Sequence, residues 1–128
     1  MREIIFRGKT KNTSGKYPVS TWIYGNYSYN KKYNSYQIYC CGVESVDVYP
    51  ATIGQYTGLK DANDNEIYEG DILDIGDELV EAIWNECGFA YRNYGYTSNQ
   101  LADLQDIEVM GNVHDDPELL LESEEKQS

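Results

Sequence analysis

The chain has 128 residues, one domain's worth, with little room for a second independent core. Hydrophobic residues make up 41%, which excludes wholesale disorder. The formal net charge is −12 but is unevenly spread: Met1 to Pro50 holds seven Lys and Arg against three acids, net +4, and Ala51 to Ser128 holds three against nineteen, net −16. Opposite fields of this kind attract, so the two halves are expected to face each other within a molecule or between subunits.

Arg2, Glu3 and Arg7 interrupt the opening apolar run, which therefore does not read as a signal peptide. Nor does any stretch approach the roughly 20 apolar residues of a membrane span, so the expected location is the cytoplasm. Arg2 to Arg7 reads as a first strand, and Lys9 to Lys16 as a polar loop. Val19 to Tyr24 reads as its partner, with Val19, Thr21 and Ile23 on one face. Tyr24 to Cys40 is rich in Tyr and Asn and reads as two exposed strands joined at Tyr29 to Lys32. Val43 to Tyr49 alternates as a strand should, and Pro50 ends its pairing.

Further on, Leu73 to Trp84 reads as one or two strands split at Gly76-Asp77. Gly88 to Arg92 is another strand, Asn93 to Asn99 a polar loop, and Ile107 to Val113 the final strand. Asp116-Pro117-Glu118 opens a short helix, with Asp116 as the cap and Pro117 at the first helical position. The tail from residue 122 to 128 is acidic and expected to fray. The expected fold is mostly β, barrel-like with SH3-like elements in the second half, closed by a short C-terminal helix, in one domain over residues 1–121.

Most motifs that suggest chemistry fail on spacing. Asp61, Asn63 and Asn65 occupy positions 1, 3 and 5 of a calcium loop, but positions 6 and 12 hold Glu66 and Ile72 where Gly and Glu are needed. A hairpin turn at Asn63-Asp64 explains the same residues. Gly70-Asp71 reads as turn architecture. Asp71, Asp74, Asp77, Glu78 and Glu81 read as a solvated acidic face, since a working carboxylate pair needs one buried member. Cys40 and Cys41 are adjacent, so in a strand they point to opposite faces, and with Cys87 and His114 they make a poor metal set. His114 is the single histidine, and no nucleophile elbow or phosphate-binding glycine loop is present. No catalytic residue, cofactor or metal is expected, and the chain reads as a non-enzyme.

Five separated phrases, in order, resemble the YopX family of phage and prophage proteins. They are the opening REIIFRGK, Trp22-Ile23-Tyr24-Gly25, the stretch Thr52 to Leu73 with QYTGL and EIYEGDIL, Ile83-Trp84-Asn85 with Gly88-Phe89, and Glu108 to Val113 with Asp116 to Leu119. The family usually has Gly in the central turn, where this chain has Asp64 followed by Asn65. The resemblance implies a phage or prophage origin and a small mostly β fold, and it carries over no catalytic residue.

The Tyr-rich stretch matches nothing in that family and is the best functional candidate. Tyr24, Tyr27, Tyr29, Lys31, Lys32, Tyr33, Tyr36 and Tyr39 combine aromatic faces with positive charge. Tyrosine offers large contact area at low entropy cost, which suits a protein interface. The leading expectation is a protein-interaction or self-association module, its partner a phage or host protein or a second copy. The alternative is a nucleic-acid-associated protein binding through the basic half, since stacking rings beside cations also suit single strands. A sub-variant has the acidic half imitate DNA towards a host protein.

Overall fold

Period-two alternation recurs along the chain, and the computed structural model forms eleven strands among the described residues. It describes residues 5–11, 18–40, 44–76, 78–85, 88–93, 96–98, 101 and 106–120. The chain divides into two compact units, Met1–Tyr56 and Thr57–Ser128, with the boundary inside the strand Gly54–Lys60.

The first unit holds β1 (Phe6–Lys9), β2 (Trp22–Asn30), β3 (Ser35–Cys40), β4 (Glu44–Asp47) and the start of β5 (Gly54–Lys60). Their order is β4-β3-β2-β1-β5, with every pair antiparallel. Residues opposite one another share a face, so Phe6, Gly8, Ile23, Ile38 and Val46 line one side of the sheet. Ile23, Ile38 and Val48 are buried there, flanked by Phe6, Tyr36, Val46 and Ile53. Gly8 makes room for this packing: a Cβ on it would lie 3.1 Å from the Val48 side chain.

Thr10 is fully buried and anchors the segment before β2. Its hydroxyl donates to the Pro18 carbonyl at 2.5 Å and accepts the Thr21 N–H at 2.9 Å. That anchor corrects the expected start of β2. Val19 and Ser20 form a turn, with Ser20 at φ 64°, and pairing begins at Trp22. The β2–β3 connection also lies later than expected, at residues 31–34, because pairing runs on to Asn30↔Ser35. Pro50 ends the β4 segment as expected and opens a 3-10 turn, Pro50–Thr52.

The second unit holds β6 (Glu66–Tyr68), beside β5, and β7 (Asp71–Asp74), β8 (Leu79–Asn85), β9 (Gly88–Asn93), β10 (Tyr96–Ser98) and β11 (Glu108–Asn112). The last five form an antiparallel sheet in the order β10-β9-β8-β7-β11. Ile67, Leu73, Val80, Ala82, Tyr91, Leu101 and Ile107 make its core. The fold is mostly β with a short C-terminal helix, whose described part is residues 118–120. The barrel-like expectation is corrected: this sheet stays open, with β10 and β11 at its two ends. β10 lies in the segment expected to be a polar loop. Asp116 does not cap forward as expected; its Oδ2 turns back to accept the Asn112 N–H at 3.3 Å, and its carbonyl accepts from Leu119 N–H. The tail from residue 122 lies outside the described residues. Among those residues no helix is long and apolar enough to cross a membrane.

Candidate interaction face

Strands β2 and β3 carry most of the tyrosines, and their register decides which rings meet. Tyr27 lies opposite Ile38 and Tyr29 opposite Tyr36, so these side chains share the face that buries Ile23. The rings form a row: Phe6 to Tyr27 at 5.5 Å between centroids, Tyr27 to Tyr36 at 6.3 Å, and Tyr36 to Tyr29 at 4.8 Å. The apolar core thus runs outward along the hairpin into an aromatic strip. Tyr27 and Tyr29 are 39% and 45% exposed, so the strip is half open to water. The Tyr29 hydroxyl donates to Asn34 Oδ1 at 2.6 Å, which ties the strip to the turn.

Not all eight candidates join it. Tyr24 and Tyr39 point to the opposite face, where Tyr24 pairs with Arg7 and Tyr39 with Asn26. On that face Trp22 lies under Arg7, 4.5 Å from the guanidinium carbon, and under Lys9 at 5.3 Å. Lys31, Lys32 and Tyr33 occupy the turn, with the Lys32 ammonium 5.3 Å from the Tyr33 ring centre. Phe6 was not among the sequence candidates. Its membership follows from its cross-strand position beside Gly25, which lets Tyr27 lean over it.

The calcium-like spacing has a different use. Asp61 is 7% exposed, and its carboxylate accepts four N–H groups. Oδ1 takes the amides of Asn63 (2.9 Å) and Asn65 (2.8 Å); Oδ2 takes the Asn65 side chain (3.2 Å) and the Val109 amide (2.9 Å). Burial alone would raise the Asp61 pKa. The Val109 and Asn65 amides, the Asn65 side chain and the Asn63 amide more than offset it, so the pKa lies below the ordinary carboxylate value. The residue clips the β5–β6 turn to the start of β11. Asp64 occupies the left-handed position of that turn, at φ 67°.

Gly70-Asp71 is turn architecture as well. Gly70 has φ 90°, and Asp71 is buried, its Oδ2 accepting the Tyr68 N–H at 2.8 Å. Asp71 therefore leaves the expected solvated acidic face. Asp74 closes the next turn through the Gly76 amide, and Glu81 pairs with Arg92 across β8 and β9 at 3.1 Å. These carboxylates serve separate turns and strands, not one site. Among the described residues no three His, Cys, Asp or Glu gather as metal ligands would. Cys41 and Cys87 and the side chain of Cys40 lie outside them.

Residues 5–121 match the YopX protein family. The chain belongs to that family. The matched span runs through both units, from β1 to the C-terminal helix, so the tyrosine-rich stretch falls inside it, against the expectation that this stretch lies outside the family's pattern. No curated protein matches the chain.

Proposed function

We propose that this YopX-family chain is a non-enzymatic interaction module of phage or prophage origin, acting in the cytoplasm of a bacterial host. It recognises a protein, whether phage, host or a second copy of itself, through the strip formed by Tyr27, Tyr29 and Tyr36. The observation that carries this reading is the half-exposed ring row that continues a buried core. Such rings lose little conformational freedom on binding and bring large area, which is the profile of an interface anchor. The rings also lean on one another at 4.8 to 6.3 Å. They therefore offer edges and hydroxyls to a partner more than free flat faces for bases to stack on.

A photo-crosslinking residue in place of Tyr29, with Lys60 as an exposed control position, tests the reading in cells. Protein adducts specific to position 29, lost with Tyr27→Ser and Tyr36→Ser, are the expected result. Equal adducts at both positions refute it. A titration with labelled single-stranded oligonucleotide at low salt, where electrostatic affinity is greatest, is expected to show no saturable binding.

A further inference from the structure

The second unit repeats the layout of the first on its own hairpin. Along β8, Val80 and Ala82 are buried on the core face, and Ala82 lies opposite buried Tyr91 on β9. Two residues on, the same face reaches Trp84, directly opposite Phe89. Their rings meet edge to face, 4.8 Å apart at 77°, and Trp84 is 52% exposed. A core face again runs out into open aromatic surface. The net charge of the two units is opposite in sign: by sequence, residues 57–128 hold nineteen acids against three Lys and Arg, net −16, while residues 1–56 hold net +4.

An indole face in a strongly acidic unit favours an aromatic partner that brings cations, since cations are drawn to ring faces and to the surrounding field. The turn between β2 and β3 has that chemistry. It presents Lys31, Lys32 and Tyr33, the last 69% exposed, at the end of the tyrosine strip. We infer that the Trp84–Phe89 patch is a receiving surface for the β2–β3 hairpin of a second copy. This inference rests on the interaction reading above and names its partner. The contact is heterologous: each copy offers a hairpin tip and a receiver, so association continues until a ring closes or a filament grows.

Sedimentation velocity over a range of concentrations and salt tests this directly. The natural chain should grow in mass with concentration and dissociate as salt screens the attraction. Trp84→Ser, and separately Lys31→Glu with Lys32→Glu, should each weaken association by at least about thirtyfold, the scale of losing an interface anchor. Near-ultraviolet circular dichroism confirms that each variant is folded. Mixed in equal amounts, the two variants should form a one-to-one dimer that grows no further, because one supplies the tip and the other the receiver. A natural chain that stays monomeric throughout overturns the inference, as does a mixture that stays monomeric. If Trp84→Ser associates normally while Tyr27→Ser with Tyr29→Ser does not, the receiver is wrong and the tyrosine strip still stands.

Discussion

Asp61→Asn isolates the charge at the centre of the second unit's turn network with almost no change in shape. The carboxylate accepts two N–H groups on each oxygen. An amide side chain keeps one acceptor, and whichever way it is turned its NH2 group meets two donors. Two bonds are lost, and bonds to a charged group contribute about 1.5–3 kcal/mol each. Allowing for relaxation, the substitution should cost about 3 kcal/mol at neutral pH, read as a lower urea midpoint. The cost should also depend on pH. The folded-state pKa is lowered, so the carboxylate's contribution is complete above the unfolded pKa and disappears as pH falls through the folded one. The gap between the natural chain and Asp61→Asn should therefore narrow below about pH 4. An unchanged midpoint at neutral pH, or a gap that stays constant into strong acid, refutes this account of the turn.

Gly25→Ala should lower the thermal midpoint sharply or prevent folding of the first unit, since an added Cβ would collide with the Tyr39 carbonyl oxygen and lie 2.9 Å from its carbon. A cost of at least about 2 kcal/mol is expected, because backbone cannot move aside as a side chain can. Asp64→Gly should raise the urea midpoint slightly, by about 0.5 kcal/mol, because it relieves a left-handed residue. The Lys60–Asp64 pair it removes is long, at 3.7 Å, and exposed, so its loss contributes little.

Alternation made the β2–β3 hairpin and the Asn63-Asp64 turn legible from residues alone, because both are local patterns. What escaped was non-local. The spacing Asp61, Asn63, Asn65 matches the first half of a cation loop, and it is the same spacing that lets two nearby amides converge on one carboxylate. The remaining backbone donor, Val109, is 48 residues away, and nothing near Asp61 announces it. Leu101 is 1% exposed although residues 97–100 before it are all polar and no strand alternation marks it. β10 has no apolar alternation either; it exists because Tyr96 to Ser98 pair with β9. The eight-residue candidate face divided for a related reason. Composition grouped the tyrosines, but cross-strand register sends Tyr27, Tyr29 and Tyr36 one way and Tyr24 and Tyr39 the other.

The chain has two tryptophans, and the structure places one in each unit. Trp22 is half-buried beneath two cations, whereas Trp84 is half open to water against Phe89. Their emission should differ in wavelength and quenching, so each unit carries its own optical reporter. With either indole replaced by Phe, fluorescence follows one unit alone during denaturation. Coincident traces would mark a single cooperative transition, and separated traces would mark two folding units that share a strand.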